Sequence, residues 1–222
     1  MTTESEERSF PLDVEHGGIR LALPLIAIVS FIGLLWLLSN LLRGEENGCL
    51  NAMLATAGAL GLMAVSDGVL KRVWKSGRSL SVHGKKIVVR DVRSKHAPEV
   101  TFDLAQRVNV LAWRFTVKRG SPRAPRGSVL LGLQLLQNDE SAALYTLVSA
   151  KQADEAIFAE FIQLMPRNAV IQEKLPLREL AQQRRLLQAE EQRWHEGAEM
   201  RCQDFMLLVE TLKAHGAEWS TR

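Results

Sequence analysis

The chain divides by the spacing of its apolar residues. Residues 21–42 hold no charge at all, and as a helix about 22 residues rise roughly 33 Å, the hydrocarbon thickness of a bilayer. Residues 43–48 break the run with Arg43, Glu45 and Glu46. Residues 49–66 are again uncharged, about 18 positions, the lower limit for a span. Two spans joined by so short a loop return the chain to the side it left. The pattern predicts a transmembrane hairpin. A buried hairpin of a soluble domain would need a polar face, and residues 21–42 offer none. A secretory signal would need a basic leader, whereas Glu4, Glu6, Glu7, Asp13 and Glu15 precede the first run.

After Ser79 the period shortens to two. Residues 79–82 and 86–92 are rich in β-branched side chains and are separated by His83-Gly84-Lys85, a hairpin pattern. Residues 100–104 follow the breaker Ala97-Pro98. In residues 107–118 the apolar phase is first Val108, Val110 and Ala112, then Trp113, Phe115 and Val117. That one-residue slip predicts either a bulge or a corner between two strands. Residues 128–137 form a long apolar strand, 138–141 a turn and 142–148 another strand. Ser149 and Gln152 then have the spacing of a capping box. Ala153, Ala156, Ile157, Phe161 and Leu164 continue at helical intervals until Pro166, so a closing amphipathic helix is expected over 149–166.

Beyond Pro166 the chain reads as polar and helical. Pro176 suits a first helical turn, and Leu180, Leu187 and Trp194 recur every seven residues. Gly197 breaks this helix, and a second over 198–215 lines up Phe205, Leu208, Val209 and Leu212. The two helices could fold onto each other, onto the β-domain or onto a partner. The partner expectation names Leu180, Leu187, Trp194, Phe205 and Leu212.

The apolar hairpin, the basic linker, about seven short strands and a capping helix resemble the bacterial membrane proteins with a pleckstrin-homology-like domain. The likeness rests on Leu80-Ser-Val-His-Gly-Lys-Lys-Ile-Val-Val-Arg90 and Phe102-Asp-Leu-Ala-Gln-Arg-Val-Asn-Val110. It covers residues 19–166 and is one of architecture; a small β-sandwich or split barrel would leave much the same pattern. It implies a membrane-anchored α+β chain: a two-helix transmembrane hairpin, a small antiparallel PH-like barrel or sandwich, and an α-helical tail. The segments are an acidic disordered tail (1–18), the hairpin (19–75), the β-domain with its closing helix (76–166) and an amphipathic tail (167–222). The phosphoinositide pocket of eukaryotic members needs a basic cluster between the first two strands, and Lys85, Lys86 and Arg90 match it loosely.

Composition refines this picture. The net charge of +3 over 222 residues is unevenly spread. Lys71, Arg72, Trp74, Lys75 and Arg78 follow the second span and read as a membrane interface, with Asp67 one turn from Lys71 as a salt-bridge partner. Basic flanks, with Arg20 at the start of the first span and Arg43 dissenting, predict both termini on the cytoplasmic side of a bacterial inner membrane. Within the first span Ser30, Gly33 and Asn40 share a stripe; in the second Ala57 and Gly61 form a small-xxx-small pair. Lys118, Arg119, Arg123 and Arg126 make a basic loop that, with Lys85 and Lys86, could meet an anionic surface. It lacks the interleaved aromatics of a nucleic-acid site.

Candidate chemistry is sparse. His16, His83, His96, His195 and His215 are scattered, Cys49 and Cys202 belong to different segments, and no metal-ligand spacing or catalytic motif is present. No cofactor is expected, and no enzymatic activity. The expectation is a non-enzymatic membrane-anchored interaction module, an accessory or assembly subunit that meets membrane lipid and other subunits or copies of itself. Lipid or ligand sensing at the cytoplasmic leaflet is the alternative.

Overall fold

The computed structural model describes residues 8–13, 17–41, 47–92, 99–120, 124–166 and 175–219; the side chain of Arg20 falls outside this description. Val14–Ser76 form one compact unit, and Met1–Asp13 with Gly77–Arg222 form the other.

The first unit is a pair of helices, α1 (Gly17–Leu41) and α2 (Gly48–Val73), both long and apolar enough to cross a membrane. Helix α2 continues past the uncharged run, and there Asp67 and Lys71 pair at 2.9 Å one turn apart. Asn51, Ala55 and Ala59, at four-residue intervals, are its buried stripe. Close packing reaches Gly58, where a Cβ would come within 2.7 Å of Leu34 Cδ1. The expected small pair is placed elsewhere: Ala57 is exposed, and neither Gly61 nor Gly33 has an atom near its missing Cβ. Asn40 and Thr56 return their side-chain donors to the carbonyls of Trp36 and Ala52, so their polarity is absorbed within each helix. The loop carrying Arg43 lies outside the described residues.

The second unit is mixed α+β with two sheets. Strands β1 (Arg8–Pro11), β2 (Arg78–His83), β3 (Lys86–Asp91) and β4 (Glu99–Asp103) make a four-stranded antiparallel sheet in that order. The expectation of a disordered tail over 1–18 is therefore corrected at β1, which pairs Phe10 with Leu80 and buries Phe10 and Leu12. Strands β5 (Asn109–Thr116), β6 (Val129–Gln137) and β7 (Glu140–Val148) form a second meander, turning tightly at Asn138, whose φ of 54° asparagine tolerates.

Among the described residues no ladder joins β4 to β5, so the sheets do not close into a barrel. Side chains bridge them instead. The Gln137 amide accepts from Asp103 N (2.7 Å) and donates to Asp103 O (2.9 Å), and Glu140 accepts from Thr101 N (3.2 Å).

The phase slip in β5 is neither bulge nor corner. The β5–β6 register runs unbroken from Asn109↔Leu136 to Thr116↔Val129. Val108, Val110 and Ala112 enter the core between the sheets, while Leu111 and Trp113 are buried on the opposite face with Leu164, Leu186 and Ala189. The alternation persists, and covering both faces makes each phase apolar. Strand β6 behaves the same way, which explains its continuous apolar run.

The expected closing helix over 149–166 is one turn only. The capping box is present, but α3 is just Ala150–Ala153, followed by a 3-10 turn at Ala156–Phe158 and strand β8 (Ile162–Gln163). Phe158 and Phe161 enter the main core, Leu164 enters the other, and β8 pairs parallel with β5. The helical interval arose because a chain of turns also touches a core every three or four residues.

The tail supplies the closing elements. Helix α4 (Leu177–Glu196) covers the outer face of the second sheet with Gln183, Leu186, Ala189 and Arg193. Helix α5 (Cys202–Ala214) places Phe205, Leu208, Val209 and Leu212 in the main core, with Phe161 at 6.1 Å from Phe205. Strand β9 (Ala198–Glu199) pairs with β7, and β10 (Glu218–Trp219) with β5, so short segments shield both edges.

Candidate functional site

The residues singled out in the sequence fall in different places. At the end of α2, Lys71 is paired with Asp67, Arg72 and Lys75 are exposed, and the half-exposed Trp74 caps the helix through its N–H to Leu70 O at 2.8 Å. Arg78 is different. Its guanidinium donates to Asp13 (2.9 Å), Gly197 O (3.1 Å) and Glu196 O (2.6 Å), and its Nε lies 2.7 Å from Asp91. It is a staple that collects β1, β3 and the C-terminal carbonyls of α4, where a cation is favoured.

Of the expected partner contacts, Phe205 and Leu212 are corrected: both lie in this chain's own core. The stripe of α5 is filled from within, because that helix packs its apolar face into the core between the sheets. Leu180 and Leu187 are half-buried, and Trp194 is 76% exposed.

The basic residues divide as well. Lys85 and Lys86 stand at the β2–β3 turn, where Lys86 faces Asp103 and Lys85 O accepts from Leu104 N. Since Asp103 is held by Gln137, this is one end of β6. Lys118, Arg119 and Arg126 are exposed in the β5–β6 loop at the other end, about 30 Å away along a nine-residue strand. No single basic pocket forms from the two groups. Arg123 lies outside the described residues.

What the structure assembles is a groove of about 650 Å³ beside the end of β5. Its apolar lining comes from Phe115 and Val117, from Leu164, Met165 and Pro166, and from Leu187 of α4. Segment 163–165 is held to α4 by one side chain: Gln183 accepts from Met165 N (3.0 Å) and donates to Gln163 O (3.1 Å). Lys118 and Arg119 form the basic lip.

Glu190 is the groove's acidic residue, and its carboxylate is already engaged. It accepts from Trp113 Nε1 (2.9 Å) and from Arg193 Nε (2.8 Å) and Nη2 (2.6 Å). Arg193 in turn lies 4.8 Å from the centre of the Tyr145 ring. Nearby, Gln134 donates to Gln192, which donates to Ser141 at 2.7 Å. These groups satisfy the polar atoms under α4 and leave the groove apolar with a cationic rim.

Sequence reasoning missed this assembly because its residues come from three separated segments. The available signal was the second apolar phase of β5. Trp113, Phe115 and Val117 announce a covered outer face, and the cover runs out toward Val117.

Away from the groove, burial pushes the Cys202 thiol up in pKa, with Glu155 adding to the effect. Burial also raises Asp204, against the pull of Arg201. Among the described residues no cluster of three or more His, Cys, Asp or Glu could hold a metal ion. No protein-family model, curated protein or solved structure matches the chain.

Proposed function

We propose that this chain is a non-enzymatic, membrane-anchored interaction module, an accessory or assembly subunit of a membrane-protein complex. The observation that carries this reading is the open apolar groove with a basic lip beside β5. A groove of this kind offers shape and charge to another molecule without a nucleophile or a poised acid–base pair. The disposition of the most buried charges supports it: Arg78, Asp13 and Asp91 join strands to a helix end, and Glu190 with Arg193 fastens α4 to Trp113.

In this reading α1 and α2 span a bacterial inner membrane. Lys71, Arg72 and Lys75 keep the second unit and both termini on the cytoplasmic side, with Trp74 at headgroup level. The hairpin meets membrane lipid, and other subunits or a second copy meet the sheet unit. The pleckstrin-homology-like assignment belongs to the same proposal. It is supported by two three-stranded meanders that share one core and by α5, whose apolar face enters that core.

The test is extraction of the tagged chain in mild detergent from its native membrane. A second subunit retained in fixed stoichiometry is the expected result. A monodisperse single chain with nothing bound contradicts the proposal.

A further inference from the structure

The groove contains a strand edge. Val117 N donates to Ser128 O (2.8 Å) and Gly127 N to Val117 O (3.1 Å), so odd-numbered residues of β5 bond toward β6. The N–H and C=O of Thr116 therefore face the other way, along the side that lines the groove. On that side β10 covers Asn109 and Val110, and β8 covers Trp113 and Arg114. Leu164 N still reaches Arg114 O at 2.8 Å, but Met165 N turns away to Gln183. Among the described residues no strand pairs with Thr116 on this edge.

We propose that this edge receives an extended peptide from a partner protein. The peptide adds to β5 as a strand, with an apolar side chain in the groove and acidic side chains at its lip. The inference rests on the interaction-module reading and names the surface and the chemistry that it would use. Charge argues for the acidic character. Lys118 and Arg119 line the groove, Arg126 is exposed in the same loop, and among the described residues none of the three forms an ion pair. Glu190 cannot offset them, because Trp113 and Arg193 hold its carboxylate. The strand edge argues for a peptide. An anionic lipid could meet the cations and the apolar floor, but it does not carry the paired amide N–H and C=O that match those of Thr116.

The experiment uses the full chain in phosphatidylcholine nanodiscs and a displayed library of randomised nonapeptides. Selected peptides are resynthesised for solution binding. They are expected to combine acidic with apolar residues and to weaken about tenfold or more on Lys118→Glu/Arg119→Glu. N-methylation of alternate peptide residues should cost about as much, because it removes the strand's donors without altering the protein. The proposal is overturned by an empty selection, by winners without acidic bias, or by winners indifferent to either change. Loss of peptide binding in phosphatidylglycerol nanodiscs would overturn it in favour of a lipid. The two readings fail separately. A native subunit that still co-purifies with the double variant leaves the interaction module standing and removes this surface. A wild-type chain that retains nothing removes the module.

Discussion

Trp113 occupies the space that a side chain on Gly132 would need. The two residues face each other across β5 and β6, and a Cβ on Gly132 would lie 2.8 Å from Trp113 Nε1. Glycine thus lets the indole lie over its neighbour strand and donate to Glu190 of α4. Gly132→Ala should force the ring off this position, with a cost of about 1–3 kcal/mol from overpacking. Thermal melting in detergent would show it. An unchanged melting temperature would mean that the ring has room to move.

Arg78 holds four groups from distant parts of the chain, so removing it leaves the partly buried Asp13 and Asp91 without their cation. Arg78→Ala should cost about 1–3 kcal/mol, the scale for losing hydrogen bonds to a partly buried charged group. The local sign should be release of β1, whose Leu12 N donates to Arg78 O and whose following Asp13 binds the guanidinium. Limited trypsinolysis after Arg8 should accelerate. Equal rates in variant and parent would show that β1 is held by its ladder alone.

Helix α5 belongs to the core, so the tail is not removable. Phe205→Ala should destabilise by about 3–5 kcal/mol, whereas Trp194→Ala should stay within about 0.5 kcal/mol. Deleting residues 172–222 takes away Phe205, Leu208, Val209 and Leu212 together with the carbonyls that Arg78 binds. The truncated chain should lose its cooperative melting transition; a cooperative melt would contradict the placement of α5.

These cases show which features were legible. The two long apolar helices were, because an uncharged run is a local property, and so were most strand limits and the capping box at Ser149. The phase slip at Trp113, the broken helix after Ala153 and the burial of Phe205 were not. Each depends on which surface covers a segment from far along the chain, and periodicity cannot report whether a second face is covered. The groove was the least legible feature, since Phe115, Leu164 and Leu187 meet only in the folded unit.

The half-buried Cys202 should react slowly. Burial raises its thiol pKa, so the folded chain keeps the proton to higher pH than the unfolded chain does. The native state then binds more protons in that window, and this group's contribution to stability falls as pH rises through it. In a Cys49→Ser background, alkylation by iodoacetamide should lag behind the urea-unfolded chain near pH 8 and approach it in more alkaline buffer. Identical pH profiles would contradict the burial of the thiol.

The central claim is a hairpin in the membrane with the sheet unit on the cytoplasmic side, and cysteine accessibility tests it most directly. In a Cys49→Ser/Cys202→Ser background, Asn47→Cys lies at the start of α2 and Ser128→Cys lies in the β5–β6 loop. A membrane-impermeant maleimide applied to intact cells should label Asn47→Cys and should reach Ser128→Cys only after lysis. Labelling of Ser128→Cys in intact cells, with Asn47→Cys protected, would contradict the topology and place the sheet unit outside.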